Sequence, residues 1–516
     1  MLEGRNLWEL VEARAEATPD AVMTIDESGQ SVTFGEYRAS AETVAAGLVA
    51  EGVSEGDVVS WVLPTWHGSL VLIAALARIG AVQNPIIPIY RDREVGFVTR
   101  QAEASLLIVP GEWRGFDYEA MAERIAEENP NPPRVLVASS TLPDGDPSTL
   151  PPPPEPPATR ADEPGTWLFY TSGTTADPKG ARHSDGDLIL TARGMCDRML
   201  CREGDKNLMA FPVTHIAGPI WLASSLMYGL VNVITEAFDP KATPDLASKA
   251  DVTLAGSATF FHMAYLAAQR ATPDVKIFPS LRLCPGGGAP KPPALHGEVQ
   301  DELGGLGIVS GWGLTEAPIL TMGSALDPDD KLATTEGRPM PGVLLRAVSL
   351  DGDEVGPGEE GELRAKAPQM MRGYLDATLD AEAFDDDGWF RTGDLGVIDP
   401  DGYVRITGRV KDVIIRKGEN VSAAEVENLL YEHPKVADVA VIGLPDADRG
   451  EMVCAVVSGP EGGEPLSFLE MVDHLKEKGL RTQALPERLE VVDAIPRNAS
   501  GKIPKHELRK QYSSEA

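Results

Sequence analysis

The sequence predicts an α/β protein, with a large N-terminal domain of layered α/β subdomains and a small C-terminal α+β domain. Three observations carry this expectation. Apolar strand-like runs alternate with helix-period stretches through the first half of the chain, the pattern of parallel sheets joined by crossover helices. The length, 516 residues, exceeds what one hydrophobic core normally spans. A dense series of turn signals (Asp385-Asp386-Asp387-Gly388, Thr392-Gly393-Asp394, Asp399-Pro400-Asp401-Gly402) precedes a compact unit of alternating strands and helices. The boundary is therefore drawn between Gly408 and Arg409, giving domains of residues 1–408 and 409–516.

Residues 7–18 and 36–50 repeat apolar side chains at helical spacing, through Leu7, Leu10 and Val11 and then Tyr37, Ala41, Val44 and Leu48. Val58 to Leu63 reads as a strand, His67 to Ile79 as a helix, and Val82 to Ile87 and Leu106 to Val109 as further strands. The run Pro151 to Pro157 is stiff polyproline, read as a surface spacer rather than a partner's docking peptide. Leu208 to Thr235 holds no Asp, Glu, Lys or Arg, its one titratable cation being His215, but Pro212, Gly218 and Pro219 interrupt it. It is read as a buried strand plus a helix, not a membrane span. In the second domain the pattern predicts a strand over 413–416, a helix over 423–431, strands over 436–442 and 452–457, a helix over 466–478, and a tail. No solenoid-type repeat is present.

Composition narrows the function classes. The net charge of -33 repels phosphate backbones and anionic lipid, which argues against nucleic-acid or membrane-surface binding. An anionic substrate would need a local basic pocket. Four cysteines (Cys196, Cys201, Cys284, Cys454) form neither a metal-ligand pattern nor a disulfide framework, as expected of a reducing, cytoplasmic setting. The first residues carry no basic stretch followed by an apolar run, so no secretion signal is expected. Oligomeric state is not legible, and a homodimer stays open.

The chemistry concentrates first in Tyr170-Thr171-Ser172-Gly173-Thr174-Thr175-Ala176-Asp177-Pro178-Lys179-Gly180, between an apolar strand and a helix that begins near Asp185. Backbone N–H groups, hydroxyls and one lysine in such a loop suit a polyphosphate. The loop lacks the hydroxyl residue that follows lysine in a Walker-type P-loop. Taken alone, it also reads as a flexible connector. It resembles the phosphate loop of the adenylate-forming enzymes, the superfamily of acyl-CoA synthetases, adenylation domains and firefly luciferase. Six further segments resemble that family in its own order, and the resemblance spans essentially the whole chain.

The resemblance implies a role for each segment. In Phe211-Pro212-Val213-Thr214-His215-Ile216-Ala217-Gly218, His215 would close the acyl pocket, with Ala217, Gly218 and Trp221 beside it. Amino-acid-activating relatives carry an aspartate here. No carboxylate lies between Phe211 and Trp221, which favours an acid without an ammonium group. Gly286-Gly287-Gly288-Ala289-Pro290 would border adenine on one side and the acyl chain on the other. In Gly311-Trp312-Gly313-Leu314-Thr315-Glu316, Trp312 would stack on adenine beside Gly313, Thr315 would bond phosphate, and Glu316 would bind Mg²⁺, a hard cation. Asp394, within Trp389 to Leu395, would accept from the ribose hydroxyls, and Arg409 would contact ribose or phosphate. Lys411 falls at the family's hinge, Gly418 beside its pantetheine channel, and Lys502, in Pro496 to Lys502, at the lysine that reaches the carboxylate and the α-phosphate.

Three positions depart from the family pattern. Ala176 stands for a glycine, Ala258 for a proline, and Trp312 for the usual tyrosine, where a phenol hydrogen bond would be lost. No reacting group is missing.

The resemblance thus implies an AMP-forming acid–thiol ligase that uses ATP, Mg²⁺ and coenzyme A. Acyl-AMP and pyrophosphate form first. Rotation of a mobile small domain then withdraws Lys502, and a thiol displaces AMP. Alternatives are a carrier protein in place of free CoA, a luciferase-like oxygenase, and a non-catalytic nucleotide-binding protein. The compact stretch between Gly337 and Arg364 favours CoA over ligases that bypass it. Small residues (Ala217, Gly218, Gly256, Ala258, Gly286, Gly287) suggest room for a medium-chain, cyclic or aromatic acid. The overall texture resembles ligases for cyclohexanecarboxylate and medium-chain acids.

Overall fold

A computed structural model describes all residues except 139–140, 172–176, 289–290, 418, 447, 461, 499–500 and 514–516. The chain forms a mixed α/β structure with a large N-terminal and a smaller C-terminal domain. The expected helices stand at Leu7–Ala17, Phe34–Ala50 and His67–Ile79. The second starts at a capping box, in which Thr33 accepts from the Glu36 N–H and Glu36 from the Thr33 N–H. The third ends at Gly80, whose φ of 82° suits a left-handed cap.

Strands Val58–Trp61, Val82–Pro85, Leu106–Val109 and Arg134–Val137 pair in parallel within a six-stranded sheet. Leu106, Leu107, Ile108 and Val109 are at most 1% exposed, as a strand covered on both faces requires. On the opposite side this sheet continues into Trp167–Thr171 and the antiparallel edge strand Lys179–His183, so the phosphate-loop candidate joins two adjacent strands at one side of the sheet. The polyproline run lies on the protein surface as a spacer would. Arg78 donates to the Pro151 carbonyl at 2.6 Å, and a Cβ on Gly80 would meet Pro154.

A five-stranded sheet contains Lys206–Met209 and Val231–Ile234, with the helix Ala217–Tyr228 between them in sequence. That helix is buried over most of its length and packs on Asp185–Met199. Among the described residues no helix is long and apolar enough to cross a membrane. A four-stranded sheet holds Cys284–Gly287 parallel to Ile308–Trp312. An antiparallel sheet follows, of Leu344–Val348, Glu360–Lys366, Phe390–Ile398 and Val404–Arg409.

Beyond the turn Val410–Asp412, the remaining strands build a separate sheet with its own apolar clusters. The helix Ala423–Tyr431 matches its expected bounds. The expected tail is more ordered than the pattern implied. Arg488–Val492 adds a strand parallel to Gly450–Ser458, and helix Lys505–Ser513 buries Leu508 and Tyr512 in a cluster with Ala440 and Ile442. Only two apolar anchors four residues apart hold this helix, too few to stand out from its polar surroundings.

Candidate active site

Strands Trp167–Thr171 and Lys179–His183 are in register with Lys179 opposite Thr171, so both ends of the phosphate-loop candidate meet at one place. The Tyr170 ring packs directly over Gly180, where a Cβ would lie 2.8 Å from it. Ser172, Gly173, Thr174, Thr175, Ala289, Pro290 and Gly418 lie outside the described residues.

Residues 372–375 run alongside the second of these strands. The Arg372 N–H donates to the Arg182 carbonyl and the Leu375 N–H to the Gly180 carbonyl, both at 2.8 Å. This brings Tyr374 to Lys179, whose Nζ lies 5.5 Å from the ring centroid. The Tyr374 hydroxyl donates to Glu316 Oε1 at 2.8 Å. Arg372 anchors the segment through Glu163 at 3.2 Å, Asp187 at 3.3 Å and the Arg160 carbonyl at 2.8 Å. Tyr374 and Arg372 carried no signal in the sequence, since an isolated R-G-Y has no chemistry of its own.

The segment around Glu316 is held by main-chain bonds. His183 Nε2 meets the Thr315 carbonyl at 2.7 Å, and the Met371 N–H donates to the Glu316 carbonyl at 2.8 Å. A Cβ on Gly313 would lie 2.3 Å from the Ile319 nitrogen, so the tight turn admits only glycine. At the end of its strand, Trp312 is 7% exposed, and its indole N–H donates to Asp394 Oδ2 at 2.8 Å. The other carboxylate oxygen accepts from Arg409 Nε at 2.9 Å. The tryptophan therefore brings a hydrogen bond of its own, where loss of the phenol's bond was the expectation.

The loop of the small domain that carries Lys502 is pinned to both domains. Arg497 donates to the Gly501 carbonyl at 2.7 Å and to Asp438 at 2.7 and 2.8 Å, and stacks over Phe260 at 5.2 Å. Gly501 sits against Phe260 and Phe261 of the large domain. A Cβ on Gly288 would lie 3.7 Å from Lys502 Cε, which puts the lysine beside the glycine loop. Burial lowers the Lys502 ammonium below its ordinary range, with Arg409 and Lys411 adding to the effect and Asp394 and Glu316 opposing it. Burial likewise lowers Lys411, followed by the neighbouring Arg409, against the pull of Asp412 and Asp394.

His215 is lowered to about 4, by burial first and then by Lys502, so it is neutral at pH 7. Its Nδ1 accepts from the Ala217 N–H at 3.2 Å. With Thr214, Ile87, Tyr90 and Tyr170 it lines a small cavity. The structure thus gathers Lys179, Glu316, Trp312, Asp394, Arg409, Lys411, Lys502 and His215 into one cleft, locally rich in cations on an acidic protein.

The small-residue argument for a roomy pocket changes at four positions. A Cβ would meet the Val213 oxygen at 2.1 Å from Gly218, Ile308 Cγ2 at 2.7 Å from Gly286, the Gly311 oxygen at 2.9 Å from Gly287 and the Pro285 oxygen at 3.1 Å from Gly256. Gly218, Gly287 and Gly256 permit close backbone approach, and Gly286 makes room for the Ile308 side chain, rather than leaving space for a ligand. Ala258 and Trp221 are buried at 2% and 5% exposure, and Ala217 is half-buried.

Comparison with known proteins identifies the family. The family described as "AMP-binding enzyme" matches residues 11–375, and "AMP-binding enzyme C-terminal domain" matches residues 425–502. The chain is 29% identical to the medium-chain fatty-acid–CoA ligase of Escherichia coli (strain K12), covering 96% of this chain and 88% of that one. It is 32% identical to the salicyl-AMP ligase / salicyl-S-ArCP synthetase of Mycobacterium tuberculosis (strain ATCC 25618 / H37Rv), covering 98% and 91%. Among solved structures, o-succinylbenzoate coenzyme A synthetase from Bacillus subtilis, in complex with ATP and magnesium ion, superposes with a TM-score of 0.82 at 26% identity, covering 97% and 98%. With both of its domains matched in order, the chain belongs to the AMP-binding enzyme family, the adenylate-forming acid ligases.

Proposed function

We propose that this enzyme activates an unaminated carboxylic acid with ATP, forming acyl-AMP and then acyl-CoA. The observation that carries this reading is the seat of Lys502, brought by the small domain against Gly288 and within the electrostatic reach of Asp394 and Glu316. A protein that only bound nucleotide would have no use for a lysine at that place.

A carboxylate acylates poorly because hydroxide is a bad leaving group. Attack of its oxygen on the α-phosphorus of ATP forms the acyl–phosphate bond and expels pyrophosphate. Positioning and charge neutralisation supply most of the catalysis. Lys502 spans the carboxylate and the α-phosphate as charge develops. Lys179 binds the β- and γ-phosphates together with Thr171 and Thr315, and Ser172, Gly173, Thr174 and Thr175 are proposed for the same role. Trp312 stacks on adenine beside Gly313 and Gly288, while Asp394 takes the ribose and Arg409 contacts ribose or phosphate. The Glu316 side chain fits a divalent cation. Tyr374 occupies Oε1, and Oε2 has no hydrogen-bond partner among the described residues. Bound there, Mg²⁺ supplies charge neutralisation to the phosphates.

In the second step the thiol sulfur attacks the acyl carbon and AMP leaves. We place the domain division at residue 409 and the hinge at Lys411, whose rotation withdraws Lys502 and presents Gly418 to the pantetheine arm. His215, neutral, closes the acyl pocket near Gly286, Gly287, Ala217, Gly218 and Trp221 without offering a second cation to the leaving phosphate.

The acid lacks an amine, because no carboxylate lies between Phe211 and Trp221 to hold one. Relatives named for a medium-chain fatty acid and for salicylate support an apolar aliphatic or aromatic acid. A carrier protein is the second reading for the acceptor, supported by the relative named as a salicyl-S-ArCP synthetase. The test is purified protein with ATP, Mg²⁺ and a panel of linear, cyclic and aromatic acids, with and without CoA, read by mass spectrometry. New thioesters support the ligase. AMP release with no thioester points to a carrier protein, and no adenylate from any acid defeats the proposal.

A further inference from the structure

Asp394 has two anchors of different kinds. Trp312 lies at the end of the strand Ile308–Trp312, paired with Cys284–Gly287 and with Thr321–Met322. The residue is 7% exposed, and its main-chain carbonyl accepts from the Leu320 N–H at 2.8 Å. It is part of a packed sheet of the large domain. Arg409, by contrast, has a side chain 43% exposed and immediately precedes the turn Val410–Asp412 that leads into the small domain. When the small domain turns, the Arg409 anchor is the one at risk.

A carboxylate offers about four lone-pair sites, two on each oxygen. The indole N–H occupies one on Oδ2 and the guanidinium one on Oδ1. Among the described residues one site per oxygen remains, and two sites side by side match the two vicinal hydroxyls of a ribose. Each anchor therefore sets the carboxylate's orientation without using its capacity for the nucleotide. A phenylalanine in place of Trp312 would keep the stacking face and lose the donor.

Resting on the proposed adenylation, we infer that Trp312 is a positioning residue for ribose recognition: its indole N–H keeps the Asp394 carboxylate aimed at the ribose diol independently of Arg409. The enzyme then selects a ribonucleotide even while the small domain moves. The aromatic ring supplies stacking, and its N–H supplies discrimination between ATP and the deoxy nucleotides.

The experiment compares kcat/KM of acyl-AMP formation with ATP, 2′-deoxy-ATP and 3′-deoxy-ATP for the wild type, Trp312→Phe and Arg409→Gln. A hydrogen bond to a charged group corresponds to roughly tenfold or more in affinity. Trp312→Phe is expected to shrink the preference for ATP over both deoxy nucleotides about tenfold, mainly through KM. Arg409→Gln is expected to slow the reaction yet keep most of that preference. An equal loss with all three nucleotides in Trp312→Phe would reduce the residue to a stacking platform and overturn the inference. So would loss of discrimination in Arg409→Gln, which also serves if Trp312→Phe does not fold. Wild type that forms no acyl-AMP from any acid defeats the proposed function itself, a result distinct from either outcome.

Discussion

The Tyr374 hydroxyl donates to Glu316 Oε1 at 2.8 Å across 58 residues of sequence. Its ring also lies under the Lys179 ammonium, 5.5 Å from the centroid. One side chain thus fixes the orientation of the carboxylate proposed to bind Mg²⁺ and supports the lysine proposed to bind phosphate. Arg372, two residues earlier, ties that stretch to Glu163 and Asp187.

Tyr374→Phe keeps the ring and removes the hydrogen bond. The free Glu316 carboxylate then samples more orientations, and apparent affinity for Mg²⁺ falls roughly tenfold, the scale of one hydrogen bond to a charged group. Adenylation measured against Mg²⁺ concentration checks this. Recovery at high Mg²⁺ is expected, and a loss that no Mg²⁺ concentration relieves would remove the orienting role.

In the proposed mechanism Lys502 and Lys411 divide the two half-reactions. Lys502→Ala is expected to lower acyl-AMP formation at least about a hundredfold, as loss of a preorganised charge at the reacting centre does elsewhere. Thioester formation from premade acyl-AMP should persist. Lys411→Pro restricts the backbone at the hinge and should slow one half-reaction far more than the other. Rapid-quench assays of each step on both variants separate these outcomes, and equal losses in both steps would contradict the assignments.

His215 makes stability depend on pH in a defined window. Its folded value of about 4 lies below the ordinary 6.5, so between these values the unfolded chain takes up the proton more readily than the folded one. The stabilisation is present above about pH 6.5 and is lost as pH falls toward 4. His215→Gln should flatten that part of a stability–pH curve measured by denaturant titration. The alkaline limb of kcat/KM for adenylation should lie below the ordinary lysine range, because burial lowers Lys502 and its charge is needed.

Gly218 tests whether small residues leave space for substrate. A Cβ there would come within 2.1 Å of the Val213 oxygen, so Gly218→Ala must displace backbone. The expected result is destabilisation of about 1–3 kcal/mol by thermal or chemical unfolding, with the order of preferred acids unchanged. A stable variant with a shifted acid preference would return Gly218 to the pocket wall.

The sequence by itself determined the alternation of strands and helices, because buried parallel strands need continuous apolar runs and their crossover helices an apolar stripe. Val58–Trp61, His67–Ile79, Leu106–Val109 and Ala423–Tyr431 were legible for that reason. It also held residue types of the proposed site, since the Ser/Thr/Gly-rich loop and its lysine form a local pattern. The short strand Arg488–Val492 and the helix Lys505–Ser513 were not legible, because each depends on a partner surface already formed. Tertiary structure alone decided that Tyr374 meets Glu316, that Trp312 meets Asp394, and that the glycines near His215 face neighbouring backbone. Those contacts join residues far apart in the chain, where no periodicity records which side chain will stand opposite. The same packing brings Lys502 from the end of the chain into a cleft built mainly by the large domain.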